Sequence, residues 1–168
     1  NVPDLASEDY MRQLASLLLS SLEADRKVYV EWSNEAWNGN YAQTSRNQND
    51  AVAEVNAGTS HLNYDGSTNL GYWAWRRFGQ KTVQVSDAFR SVFGDAAMMT
   101  RVRPILCSQF AQPESIRQPL EFIAAVYGPP SRFLYAVAGA PYFGLRPNDS
   151  ARTDLTVDTI FSLLPATI

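Results

Sequence analysis

Lys27–Tyr41 reads KVYVEWSNEAWNGNY, a strand pattern that ends abruptly in an amide and a carboxylate. Val28, Val30 and Trp32 alternate with Tyr29, Glu31 and Ser33, which is the period of a half-buried strand. Asn34-Glu35 follows where the alternation stops, with Trp32, Trp37 and Tyr41 close by in the sequence.

Working outward, Ser7 is placed to cap a helix running to about Ala24, with Tyr10, Leu14, Leu17, Leu18 and Leu22 on its apolar face. Asp25-Arg26-Lys27 turns that helix into the strand Val28–Ser33. Downstream of Asn38-Gly39-Asn40, the polar stretch Tyr41 to about Asn56 keeps a helical spacing in Ala51, Val52 and Val55. A Gly-, Ser- and Asn-rich loop covers Ala57 to Gly71. A helix from about Tyr72 to Phe93 then carries the stripe Trp75, Phe78, Val85, Phe89 and Val92, with Gly79 weakening its continuity. Arg101–Cys107 reads as a strand. Pro113–Tyr127 reads as a helix burying Ile116, Leu120, Ile123 and Ala124, Phe133–Val137 as a third strand, and about Thr156–Leu164 as a last helix.

The resulting α-β-α-β-α-β-α order, with short apolar strands and crossover-length helices, predicts an α/β fold with a parallel sheet. Three strands leave two bare sheet edges, which need a cover or a continuation. The expectation is one segment, residues 1–168, of a partial (β/α)8 TIM barrel whose parent domain extends on both sides. The alternative is a small doubly wound domain. No Gly-rich turn follows the first strand, as nucleotide binding in such a domain would require.

Composition narrows the function classes. At 168 residues the chain is long enough for one core, and 45% hydrophobic with 18% charged residues describes a globular chain. A net charge of -3 with scattered Lys and Arg gives no sign of a nucleic-acid surface or a polybasic membrane patch. No apolar run is long enough for a membrane span. Cys107 is the sole cysteine and His61 the sole histidine, so no disulfide, His-based metal cluster or Ser-His-Asp triad is expected, and no cofactor. Chemistry here must run on carboxylates, amides and aromatics. Four Trp and eight Tyr suit a sugar-binding cleft as well as a core.

Ligands of α/β folds bind at the carboxyl ends of the strands, where Asn34-Glu35 stands. A carboxyl group among Trp and Tyr is partly desolvated, the setting of a general acid. The alternative is that Asn34 caps a following helix and Glu35 sits in its first turn.

Glu31-Trp32-Ser33-Asn34-Glu35 resembles the fourth strand of the glycoside hydrolase clan A barrels, whose pattern is Glu-x-x-Asn-Glu. The longer YVEWSNEAWNGNY is similar to a group of bacterial glycosidases with a Ser-Asn-Glu-x-Trp-Asn signature. The resemblance implies a retaining glycoside hydrolase of β-linked glycans, with Glu35 as acid/base and Asn34 orienting the 2-hydroxyl. It makes the chain about strands 4 to 6 of the barrel. Trp37 and Asn38 match the signature and are expected, with Gln109 at a strand end and Tyr142, to meet the carbohydrate substrate. Glu31 and Arg103 are expected in the barrel interior, paired with each other; Arg101 is the alternative partner. The loop holding His61, Asn63 and Tyr64 is a further candidate for reaching substrate.

A retaining glycosidase needs a second carboxylate about 5–5.5 Å from the first. Glu114, Asp149 and Asp154 are poorly placed for that role, so the nucleophile is expected outside the chain and the isolated segment inactive and aggregation-prone. An extracytoplasmic parent protein follows from the resemblance alone; no signal segment is visible. Two other function classes remain open: a carbohydrate-binding pseudoenzyme, and a small α/β interaction domain in which Asn34-Glu35 is only a cap.

Overall fold

Short runs of β-branched and apolar residues form three strands, β1 (Val28–Val30), β2 (Val102–Gln109) and β3 (Ala136–Ala140), in a parallel sheet of order β1-β2-β3. Among the described residues the helices α1 (Glu8–Ser21), α2 (Ala42–Asn56), α3 (Leu70–Phe93) and α4 (Glu114–Val126) accompany them, with single 3-10 turns at Asp95–Ala97 and Pro130–Arg132. The computed structural model describes residues 1–109, 112–140 and 156–159. The chain is therefore α/β, as its alternating pattern predicts, and both helical stretches read between the first two strands are present as α2 and α3.

The register sets the sheet's two faces. Val28 lies beside Val102 and Val30 beside Pro104, while Ile105 to Gln109 lie beside Ala136 to Ala140. Val28, Val30, Trp32, Val102 and Leu106 share one buried cluster with Met11 and Ala15 of α1, Phe78, Val85 and Phe89 of α3, and Ile123 of α4. Three helices thus cover the same face. Tyr29, Glu31, Arg103, Ile105, Cys107 and Gln109 alternate onto the other face, where they are half-buried or exposed.

The free edge of β1 is met by the start of the chain. Val2 N donates to Glu31 O at 2.8 Å and Ser33 N to Val2 O at 2.7 Å, a parallel bridge between Val2 and Trp32. Val28 N points the other way, to Arg101 O, because successive peptide groups in a strand face opposite sides.

Several elements shift from the sequence pattern. Ser7 caps α1 as expected, its side chain accepting from Tyr10 N. The buried residues of α1 are Met11 and Ala15, however, and Leu17 is 60% exposed. Met11 and Ala15 join the core cluster shared with α3, while Tyr10 and Leu17 face outward. In α3 the predicted Phe78, Val85 and Phe89 are buried, joined by Trp73, while Trp75 and Val92 are half-buried. In α4 only Ile123 of the predicted stripe is fully buried; Ile116 and Leu120 are half-buried and Ala124 is exposed. β3 begins at Ala136 instead of Phe133, because the turn after Pro129-Pro130 continues: Phe133 N and Leu134 N both donate to Pro130 O. Phe133 and Leu134 plug the core without joining the sheet. Only 156–159 of the predicted last helix lies within the described residues, with 157–159 helical.

Gly79 does not interrupt α3. It is where α4 crosses most closely, for a Cβ there would stand 2.9 Å from Pro119 Cβ and 3.1 Å from its Cα. Gly79→Ala adds helix propensity but forces the helices apart, for a net loss of about 1–2 kcal/mol. Urea unfolding checks this; an unchanged or raised midpoint would show that the helices have room.

Arg76, 1% exposed, ties the loop before α3 to the helix layer. Its guanidinium donates to both Asp65 oxygens at 2.8 and 2.6 Å, to Gln118 Oε1 at 2.9 Å and to Leu62 O at 2.8 Å. The Arg76 hydrogen bonds, helped by Ser67 N, hold the Asp65 carboxyl down at about 2. Because the folded form binds its proton less readily than the unfolded chain, this stabilisation is complete above about pH 4. It disappears as pH falls through about 2. Asp65→Asn should flatten the acid limb of stability against pH, measured by thermal melts between those limits.

Candidate functional site

Asn34-Glu35 lies just past β1, but not as a helix cap. α2 begins only at Ala42 with Tyr41 at its N-cap position and no side-chain cap. Between them the chain makes consecutive turns, Asn38 N to Glu35 O at 2.9 Å and Tyr41 N to Asn38 O at 3.0 Å. The cap reading is therefore corrected: five or more residues of turn separate Glu35 from the helix.

The turn is conformationally costly. Ser33 has φ 61° and Glu35 φ 46°, both in the left-handed region that L side chains enter rarely. Each such residue costs about 1–3 kcal/mol and persists only where its surroundings fix it. Trp32, 2% exposed, supplies one anchor by packing on Phe78 at 5.7 Å between ring centroids. The Val2 bridge on either side of Trp32 supplies a second.

Hydrogen bonds complete the support. Asn38 Nδ2 donates to Glu35 Oε2 at 2.8 Å, and Glu35 is half-buried. Asn34 is exposed, its Oδ1 accepting from Asn1 Nδ2 at 3.0 Å and its carbonyl from Gln43 Nε2 at 2.8 Å. Thr44 Oγ1 donates to Asn38 O at 2.7 Å.

Trp37, Asn38 and Gly39 line a cavity of about 290 Å³ together with Gln109, the last residue of β2. The fold thus brings the predicted Trp37, Asn38 and Gln109 together, and Glu35 is linked to them through its bond with Asn38. Trp37 also walls a smaller cavity of about 80 Å³ with Thr44, Gln48 and Trp75, and its indole N–H is buried with no partner among the described residues. Tyr142, Asp149 and Asp154 lie outside the described residues.

Glu31 and Arg103 share the open sheet face without pairing. Arg103 is in register with Tyr29, one pleat below Glu31, and there it donates to Tyr29 Oη and lies 4.5 Å from the Tyr135 ring centroid. Arg101 is also engaged elsewhere, donating to the Leu22 and Glu23 carbonyls. Glu31 instead meets Cys107, whose thiol is pushed up to about 12 by burial and by a hydrogen bond to Glu31. Cys107 is thus a half-buried residue of the open face, not a core residue.

Tyr64 packs on Phe122 and on Arg76 in the helix layer, while His61 and Asn63 of the same loop are exposed. Glu114 is tied to Arg117 at 2.6 Å and Gln118 at 3.1 Å on α4. Among the described residues no group of His, Cys, Asp or Glu is arranged to hold a metal ion, and no helix is long and apolar enough to cross a membrane.

Asn1, Gln43 and Thr44 were not legible as site residues. Asn1 is 33 positions from Asn34 in sequence, and nothing local marks either helix residue.

The chain matches no family model, no curated protein and no solved structure. What defines it is therefore its own geometry: an α/β chain with a strained, carboxylate-bearing turn at a parallel strand's carboxyl end.

If the strain at Glu35 serves chemistry, Glu35→Gly should melt within about 1 kcal/mol of wild type, relief of the left-handed backbone offsetting the lost Asn38 bond. A much larger loss in a calorimetric melt would make Glu35 a structural residue.

Proposed function

We propose that residues 1–168 form part of the wall of a (β/α)8 barrel, about its strands 4 to 6, in a retaining glycoside hydrolase acting on β-linked glycans. Glu35 is its acid/base and Asn34 the residue that orients the sugar's 2-hydroxyl. The observation that carries this reading is the left-handed Glu35 at a strand's carboxyl end, its carboxylate held by Asn38 beside a cavity walled by Trp37, Asn38 and Gln109. Ligand sites of parallel α/β folds lie at that end of the strands.

The barrel reading draws on three features. The strands follow one another in sequence order with no reversal. Helices α1, α3 and α4 all cover one face, where a doubly wound sheet carries helices on both. Val2 extends the ladder in parallel beyond β1. In this reading the open face is the barrel interior, with Glu31 and Cys107 in the middle and Arg103, Tyr29 and Tyr135 at the floor.

Glu35 protonates the departing glycosidic oxygen, and the nucleophile is a second carboxylate from a strand outside residues 1–168. Trp37 and Gln109 offer an aromatic face and an amide to the sugar.

Glu35→Gln in the complete polypeptide, assayed on aryl β-glycosides and β-glucans, should lose about 10²–10⁴-fold in rate. Unchanged hydrolysis removes Glu35 from the chemistry. Glycan binding without hydrolysis by wild type would make the protein a carbohydrate-binding pseudoenzyme.

A further inference from the structure

Asn38 was expected to touch substrate, and its hydrogen bonds point to a further task. Its Oδ1 accepts the backbone N–H of Asn40 at 3.1 Å. A backbone N–H can only donate, so that end of the amide must be its oxygen and the other end its NH2. The NH2 reaches Glu35 Oε2 at 2.8 Å. Asn38 cannot turn over without losing both bonds. Its main chain is held too, by Asn38 N to Glu35 O at 2.9 Å and by Tyr41 N and Thr44 Oγ1 on its carbonyl at 3.0 and 2.7 Å.

We propose that Asn38 is the positioning residue of Glu35: it occupies Oε2 and leaves Oε1 as the oxygen that carries the transferable proton. The proposal rests on Glu35 being the acid/base. A carboxylic acid keeps its proton on one oxygen, and the oxygen that accepts an N–H is the carbonyl oxygen of the acid form. The amide therefore both aims the carboxyl group and designates which oxygen delivers.

In the first chemical step the Oε1 proton passes to the glycosidic oxygen. The bond from that oxygen to the anomeric carbon breaks with its electron pair on the leaving oxygen, and a second carboxylate takes the anomeric carbon. Asn38 acts through Glu35 in this step and not on the sugar.

Asn38→Asp sets a second carboxyl beside Glu35 and is read only together with Asn38→Ala. It keeps the shape of the side chain and an oxygen for Asn40 N–H, but an ionised Asp has no hydrogen to donate to Glu35. Asn38→Ala, made alongside, removes the donor without adding charge. The readout is kcat/KM, which reports events through the first step, on two aryl β-glycosides of the sugar that wild type cleaves. A phenyl glycoside needs protonation of its leaving oxygen, whereas a 2,4-dinitrophenyl glycoside leaves without it.

Both variants should lose about 10²-fold on the phenyl glycoside, the scale of a misplaced catalytic group. KM should stay close to wild type, and the dinitrophenyl glycoside should be cleaved nearly as fast as by wild type. Equal losses on the two substrates would mean that Asn38 only maintains the fold, and no loss on either would mean that it does not position the acid; either result overturns the proposal. Glu35→Gln in the same assay keeps the two readings apart. If it cleaves the phenyl glycoside normally, the acid/base reading itself fails; if it is crippled while both Asn38 variants are normal, only the role of Asn38 fails.

Discussion

Strands that run the same way cannot be joined by tight turns, and most of this molecule follows from that constraint. Each strand must be followed by a chain segment that returns to the start of the next. β1 and β2 are joined through α2 and α3, and β2 and β3 through α4. Every carboxyl end then falls on the same edge of the sheet. Trp37 and Asn38, in the turn after β1, and Gln109 at the end of β2 come to line one cavity because of the ladder, with Val30 beside Pro104 setting the alignment. The helices gather on one face, where Trp32, Phe78, Phe89 and Ile123 fuse into a single core.

That core does more than hold the helices. It fixes Trp32, the residue immediately before the turn, and so provides a rigid base on which Ser33 and Glu35 can occupy left-handed backbone. Strain of this kind relaxes unless its surroundings over-determine it. Here the Val2 bridge, the Gln43 bond to Asn34 O and the Asn38 bond to Glu35 together do so. The result is a carboxylate whose direction is set by the protein's own contacts.

The open face shows how charge is managed where no helix covers the sheet. Arg103 is spread over Tyr29 and Tyr135, and Glu31 is met by the Cys107 thiol. Neither charged group needs the other, although their alternation in the sequence suggests a pair. Residues that share a face of a sheet still differ in height along it, and one pleat is enough to redirect a guanidinium.

The sequence by itself determined what depends on near neighbours along the chain. It shows the α/β alternation, the Ser7 cap, the alternation of Val28, Val30 and Trp32, and the carboxylate where that alternation ends, since periodicity and capping are local effects. The tertiary structure decided what depends on approach from elsewhere. Packing of α1 on α3 buried Met11 and Ala15, Pro119 against Gly79 fixed how α4 lies on α3, and a continuing turn at Pro130 moved β3 to Ala136. Asn1 reaching Asn34 and Gln109 meeting Asn38 belong to the same class, because pairs so distant in sequence leave no trace in its local pattern. Even Asn38, only three residues from Glu35, needed the fold. The spacing alone leaves the direction of its amide open, and the left-handed turn anchored on Trp32 brings that amide onto the Glu35 carboxylate.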